Sequence, residues 1–541
     1  MGVFQLATFM KESLPNGTCE VSIKRECQQF QERTGERPTL VFDVLSIFAI
    51  FRNNKVWTLC GGRHQIFRKE FETFLENLSE FANLVFYEDG PSVKIKELTK
   101  TNRRRDRQDL EIEIIKQIDE GTPLKELTNV PRIKTSLGFL RKFGKHFIAV
   151  TKECDTEIAR YASNDSSVLA VLSEDTDFLI FPGPWRYFSI ESVNLKDTDL
   201  TTIEYSRTAL RNYLGLNDKQ MIILSTLGGN DIVGRLEVRQ FHRRLGCTRE
   251  NKFPLLAKYI KGLPMKFYPL LYTIASEVLR NDLPQTTDRL NESFEQYNIK
   301  FDTDDYSSDP LLRYCLENKL KCCLKALVRF DMNKMIKEQH CEYVPNYNNA
   351  LMDLSKKQYG VLFQHKQFDE VYEENCKPIY PDVTVPPLME LLNRAEHPEH
   401  DTLRLKLLKW MINDELLAPH DLALITQKYL LPILILVFMT THGFITVSEA
   451  DLILYTLRQV DLELVPTALE APEIIDARAY RISLLFNKLV PHMAQSVIFS
   501  GLTHSIEPTV FDGVFFNAKY LEFEFSAIDH LDDLTAYRLY A

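Results

Sequence analysis

The stretch that most constrains this chain is Val168–Asp177, VLAVLSEDTD. Its apolar, β-branched run from Val168 to Leu172 reads as a buried strand, and two carboxylates, Asp175 and Asp177, follow at i, i+2 spacing. Carboxylates at the C-terminal edge of a buried strand stand where open α/β sheets place their sites. Ser-Glu-Asp-Thr-Asp is also what a solvated turn looks like. Repetition argues for the site. LVFD ends in Asp43, LVFYEDG carries Asp89, and IILSTLGGND, read as a further strand over Met221–Leu227, ends in Asp231. A helical segment, KECDTEIARYA, adds Glu153 and Asp155 just before the central strand. Acids gathered at one sheet edge repel each other by roughly several kcal/mol per close pair unless cations or Lys/Arg side chains neutralise them. The pattern therefore points to a hard cation, Mg²⁺ or Mn²⁺, held by oxygen ligands.

A chain of 541 residues has room for more than one core. Its net charge is −10 with 26% charged residues, which excludes a global basic field for nucleic acid and leaves any such contact to a local patch. The ten cysteines show no regular spacing, which fits free thiols in a reducing compartment. Cys315, Cys322 and Cys323 lack a CxxC pair and are expected to pack between helices rather than bind zinc. The most apolar run, Leu430–Met439, is too short to span a bilayer and contains Pro432, so it reads as a buried helix and no membrane partner is expected.

In chain order, residues 1–37 read as helical, PTLVFDVLSIFAIFRN as strand into helix with Asp43 at the junction, and VWTLCGG as a turn. Ile66–Ala82 places Phe67, Phe71, Phe74, Leu75 and Leu78 at helical spacing, a core face. Asn83–Tyr87 is the next strand. After Asp89 comes the densest positive charge in the chain, Lys94, Lys96, Lys100, Arg103, Arg104, Arg105 and Arg107. A solvated helix face and a surface that receives phosphates beside an acidic site both fit this run. RRRDR also has the composition of a weak nuclear-localisation signal. Trp185–Val193 reads as a strand, and the glycines of Gly228-Gly229-Asn230-Asp231 permit a tight backbone approach. Beyond Gly246 the pattern is mostly helical, with a proline-rich linker near 377–388 and a final segment, VFDGVFFNAKYLEFEF, that alternates as a hairpin would. The expected architecture is an α/β domain over residues 1–245 with a central, mostly parallel sheet. A helical region with linkers over 246–387 and a helical domain over 388–541 follow.

The order and spacing of the acids resemble the PIN-like nuclease superfamily of flap endonucleases and XPG, over roughly residues 1–245. Met1-Gly2-Val3 is similar to that family's start, LVFD and FYEDG to its metal-binding strands, ECDTEIARYA to its acidic helix, and SEDTD and GGND to its last acids. The resemblance implies metal ligation by Asp43, Asp89, Glu153, Asp155, Asp175, Asp177 and Asp231. It also implies contact of Lys96 and Arg103 with the scissile phosphate, and of Lys94, Lys96, Lys100, Arg103, Arg104 and Arg105 with nucleic acid, RNA or DNA. Within the superfamily the chain resembles the constitutive coactivator of PPAR-gamma family, relatives of Asteroid, in PTLVFDVLSIF, VWTLCGGRHQIF, FYEDG, VLSEDTDFLIF with YFSIESV after it, and TLGGNDI. That closer resemblance implies a nuclear regulatory protein, also found in the cytoplasm, acting in transcriptional or RNA regulation with protein partners on its helical C-terminal half. The broader one implies a Mg²⁺-dependent structure-specific endonuclease. One departure stands out: where flap nucleases carry a Gly-Ile-Gly-Pro helix-two-turn-helix, this chain runs IVGRLEVRQFHRRLG, whose Arg235, Arg239, Arg243 and Arg244 remain available to phosphates.

Overall fold

The computed structural model describes residues 2–53, 62–91, 97–127, 137–281, 284–300, 309–328, 345–364, 377–413, 427–466, 469, 472–502 and 511–525. These fall into two compact units. The first holds residues 1–53, 70–102 and 139–308, and the second holds 54–69, 103–138 and 309–541.

The first unit is built on a seven-stranded sheet in the order β1-β7-β6-β5-β2-β3-β4. Its strands are β1 Thr18–Ser22, β2 Thr39–Asp43, β3 Asn83–Asp89, β4 Lys145–Ala149, β5 Val168–Ser173, β6 Arg186–Ser189 and β7 Thr201–Tyr205. β2 pairs in parallel with β3 and β5, β3 with β4, and β5 with β6, while β7 runs antiparallel to both β1 and β6. Parallel strands need both faces covered, and the alternation in β2 supplies it. Val41 joins Val85 and Val171 against Ile158, Ala159 and Ala162 of the helix Cys154–Asn164. Phe42 faces the other way, with its ring 5.1 Å from that of Phe86. The mostly parallel α/β sheet followed by helices is the architecture the sequence implied.

The chain leaves β2 for β3 and β4 on one side, then returns to lay β5 and β6 on the other. The order thus reverses between β2 and β5, and the crevice outside the carboxyl ends of these strands is where such sheets bind ligands. Asp43, Asp175 and Asp177 follow these two strands.

Several sequence expectations are corrected. Residues 1–37 are not all helical, because β1 sits between the helices Leu6–Glu12 and Ile23–Thr34. β4 and β7 were not foreseen as strands. The expected strand Met221–Leu227 lies inside the helix Asp218–Gly228. Periodicity cannot separate a buried strand from a buried helix in so short an apolar run. The arbiter is a capping box in which Asn217 accepts from the amide of Gln220 and the Gln220 side chain accepts from that of Asn217. The expected C-terminal hairpin is the helix Gly513–Phe525, whose first turn Asp512 holds by accepting from the Phe515 amide at 2.9 Å. The division expected at residue 245 falls within the first unit. Phe253, Leu256, Ile260, Leu290 and Tyr297 belong to the same buried cluster as β2 and β5.

The second unit is helical among its described residues. Arg63, nearly inaccessible, donates its Nε to the Asp512 carboxylate at 2.9 Å and so joins residues far apart in the chain. Trp57–Cys60, most of the tryptophan-to-glycine-pair segment, lies outside the described residues. No helix among the described residues is long and apolar enough to cross a membrane.

Candidate metal centre

Each acid is placed by a local feature of the chain. β2 ends at Asp43, a buried carboxylate whose Oδ2 accepts from the hydroxyls of Ser46 at 2.5 Å and Ser173 at 2.9 Å, while Oδ1 accepts from the Leu45 amide at 3.1 Å. Burial pushes its pKa up to about 6, with the negative charges of Asp89 and Asp175 adding to the shift and the two serine hydroxyls opposing it. Asp89 ends β3, in register with Ala149 of β4. After β5, the Asp175 carboxylate accepts from the Asp177 amide at 3.1 Å, which starts a short 3₁₀ turn, Thr176–Leu179. Asp177 then accepts from the hydroxyl of Tyr297 at 2.7 Å.

Glu153 caps the helix Cys154–Asn164, and Asp155 stands in its first turn, where the helix dipole favours a carboxylate. The approach to that helix is fixed by Glu157, which accepts from the amides of Thr151 at 2.8 Å and Lys152 at 2.9 Å. Burial raises the Glu157 pKa. The Cys154 thiol is pushed well up, first by burial and then by the charges of Asp89, Asp43, Asp155 and Glu157.

Asp155, Asp175 and Asp177 converge, each offering a carboxylate oxygen within 4.8 Å of the other two. Asp43, Asp89, Glu153 and Asp231 are not part of that cluster, although Asp43 and Asp175 repel each other electrostatically. Glu174, between the clustered acids in SEDTD, turns to the end of β6 and accepts from Ser189 at 2.6 Å and the Glu191 amide at 2.7 Å. Asp231 lies half-buried in the turn after the helix Asp218–Gly228. Gly229 has φ +89° there, and Asn230 accepts from the amides of Ile232 at 3.0 Å and Val233 at 2.9 Å. Of the basic residues, Lys94 and Lys96 lie outside the described residues, as do the side chains of Lys100 and Arg104. Arg105 is exposed on the helix Glu97–Asp119, and the carbonyl of Arg103 on the same helix accepts from Arg107 at 3.0 Å.

Three contributors escaped the sequence reading. Tyr297 reaches Asp177 from beyond the helix Pro284–Glu295, and burial together with Asp177 drives its own pKa well up. Gly2, at φ +73°, packs so closely on the 3₁₀ turn that a Cβ would come within 2.3 Å of the Asp175 Oδ1. Lys252 is buried and donates to the carbonyls of Phe4 at 2.7 Å and Gly228 at 2.8 Å, which ties the N-terminal segment to the Gly-Gly turn. Burial lowers its pKa to about 8. The Met-Gly start and the glycine pair were the available signals for the last two. Tyr297 carries none, because its role depends on a partner 120 residues away.

The donor set suits a hard cation. It consists of carboxylate oxygens alone, partly buried. Bound there, a Mg²⁺ or Mn²⁺ ion would supply a more acidic water and stabilisation of a leaving oxygen.

No protein-family model and no curated protein matches the chain. Among solved structures it is similar to the catalytic core of Rad2, with 13% identity over 58% of this chain and 83% of that one, at a TM-score of 0.27. It is also similar to the Holliday junction-resolving enzyme GEN1 in complex with product DNA and Mg²⁺, with 14% identity over 68% and 81% of the two chains and a TM-score of 0.33. For human GEN1 in complex with Holliday junction DNA the values are 15%, 68% and 81%, with a TM-score of 0.29. At this identity and TM-score no activity carries over.

Proposed function

We propose that this protein is a divalent-cation-dependent phosphodiesterase acting within nucleic acid strands. The convergence of Asp155, Asp175 and Asp177 within 4.8 Å at the sheet's reversal point carries the reading. Three carboxylates so close repel one another, a divalent cation among them relieves that repulsion, and a polyanion with its counterions provides the setting in which that charge is used. Next to this site, Phe4, Arg235, Leu236, Arg239 and His242 line a recess of about 330 Å³. Phe4 follows Val3, whose amide donates to Thr176 at 2.8 Å between the two clustered aspartates. Exposed arginines at that distance along the chain can hold backbone phosphates on either side of the reacting one. In this reading Asp155, Asp175 and Asp177 bind the cation, Asp43 adds negative potential from behind, and Tyr297 holds Asp177 in one orientation.

The test is cleavage of labelled flap, single-stranded DNA and RNA substrates by the full chain with Mg²⁺ or Mn²⁺. Turnover should vanish with a chelator and fall by more than roughly a hundredfold in Asp175→Asn and in Asp177→Asn. Cleavage undiminished in Asp177→Asn would sink the catalytic reading. One observation favours a second reading, a nuclear regulator that binds nucleic acid without cutting it. Asp43 accepts hydrogen bonds from the hydroxyls of Ser46 and Ser173, so part of its charge is balanced internally without a cation. Salt-sensitive affinity without turnover in any cation would establish that alternative.

A further inference from the structure

The second unit carries a different constellation. The helix Leu388–Leu392 ends shortly before His397-Pro398-Glu399-His400, which leads into the helix Asp401–Ile412. Glu390, His397 and His400 each place a ligand atom within 4.8 Å of the other two, all three half-buried. Glu399 stands beside both histidines. Its Oε1 lies 3.0 Å from His397 Nδ1 and 3.7 Å from His400 Nε2, and Glu390 Oε2 lies 3.6 Å from His400 Nε2. Four donors around a tetrahedral ion with bonds of 2.0–2.1 Å stand about 3.3 Å apart. The pairs His397–Glu399, His400–Glu399 and Glu390–His400 stand within about 0.4 Å of that value, and Glu390 lies within 4.8 Å of His397.

The backbone that presents these side chains is held independently of them. Arg404, with no exposed surface, donates to the carbonyls of Glu390 at 2.9 Å, Leu391 at 2.9 Å and His397 at 2.7 Å, and to the Asp401 carboxylate at 2.8 Å. One buried guanidinium therefore fixes the two chain segments that carry Glu390 and His397. Gly501 lets this packing close, since a Cβ there would meet the Leu391 carbonyl at 2.3 Å and Arg404 Nε at 3.1 Å. Pro398 sets the turn that puts His397 and His400 side by side, rings 5.8 Å apart and nearly parallel at 21°. Parallel imidazoles flanked by two carboxylates on a pinned backbone form a preorganised ligand set, and imidazole with carboxylate suits zinc-like dications rather than Mg²⁺.

We propose that Glu390, His397, Glu399 and His400 form a second metal site, selective for Zn²⁺ or a similar transition-metal dication and separate from the carboxylate cluster of the first unit. Its donors come from the chain on both sides of one turn, so the ion clasps the entrance to the helix Asp401–Ile412.

The test uses the full chain, stripped with chelator and titrated with Zn²⁺ alone in the presence of excess Mg²⁺. The expected result is one zinc per chain, with an X-ray absorption spectrum showing a nitrogen and oxygen shell at roughly 2.0–2.1 Å and imidazole back-scattering. The double substitution His397→Gln/His400→Gln should weaken zinc binding by more than roughly a hundredfold, Glu390→Gln by roughly tenfold, and Asp177→Asn not at all. Glu390→Gln keeps size and backbone, so it reports even if the double variant fails to fold. No zinc retained, zinc affinity unchanged in Glu390→Gln and the double variant, or zinc lost in Asp177→Asn alone would each overturn the proposal.

Discussion

The hydroxyl of Tyr297 donates to Oδ1 of Asp177 at 2.7 Å, both groups buried, so a residue of the helical segment after the sheet sets the orientation of a carboxylate at the sheet edge. A hydrogen bond to a charged group contributes about 1.5–3 kcal/mol, and an outer partner of a metal ligand commonly governs about 10–100-fold in metal affinity. Tyr297→Phe, which keeps the ring, is expected to lower stability by about 2 kcal/mol and Mg²⁺ affinity by roughly tenfold. Thermal melting and a metal titration check both, and unchanged affinity would show that Asp177 is positioned without it.

Gly2→Ala should act on the same cluster from the opposite end of the chain. The position has φ +73° and a Cβ would stand 2.3 Å from the Asp175 Oδ1 and 2.6 Å from the Thr176 Oγ1. Positive φ at a non-glycine residue costs of order 1–3 kcal/mol. The substitution is expected to displace the N-terminal segment from the 3₁₀ turn and to reduce cation-dependent turnover more than it reduces the melting temperature. A variant with full activity would place the N-terminus outside the site's support.

Asp43→Asn separates stability from function. Burial and the neighbouring Asp89 and Asp175 disfavour the charged form of Asp43, so an amide that cannot ionise is expected to raise the metal-free melting temperature at pH 7 while weakening Mg²⁺ binding. The two changes should have opposite signs. A loss of metal-free stability would mean that the hydrogen bonds from Ser46 and Ser173 outweigh the repulsion.

His64 is buried and His492 half-buried, and desolvation holds both neutral, each with its pKa lowered to about 4. The unfolded chain binds these protons near pH 6.5 and the folded chain only near pH 4, so the folded state releases protons across that interval. Stability from these groups is complete above pH 6.5 and is lost as pH falls toward 4. Denaturant midpoints measured at steps between pH 7 and pH 4 should decline, and His492→Gln should flatten part of that slope. A slope identical to the parent's would contradict the assignment.

Asp512→Ala removes the partner of the buried Arg63. Breaking one side of a buried pair leaves an uncompensated charge and costs about 3–5 kcal/mol. The loss is expected in the helical second unit, read as early unfolding by hydrogen exchange in the helices Ala477–Phe499 and Gly513–Phe525. Uniform protection of those helices would rule it out.

Much of the candidate site is legible in the sequence. Apolar runs ending in acids located β2, β3 and β5, since strand burial and the alternation of side chains are local properties of the chain. Asp155, Asp175 and Asp177 were all named from their sequence positions, and the structure brings those three together. The spacing could not say which acids converge. Asp43 and Asp175 are separated by β3, β4 and the helix Cys154–Asn164, and their proximity exists because the chain returns to lay β5 beside β2. The misread segments fail for a related reason. Met221–Leu227 is too short an apolar run for its period to separate strand from helix, so a capping residue decides. β1, β4 and β7 are short edge or near-edge strands whose pairing partners are remote.

What the sequence by itself determined is the set of acids and the mostly parallel sheet that carries them, because strand burial and residue spacing are written within a few residues of one another. Tertiary structure alone decided that Tyr297, Gly2 and Lys252 support the cluster, and that Glu390, His397 and His400 come within 4.8 Å of one another on a backbone held by Arg404. Such meetings depend on where distant segments are packed, and packing is a property of the whole core rather than of any window of sequence.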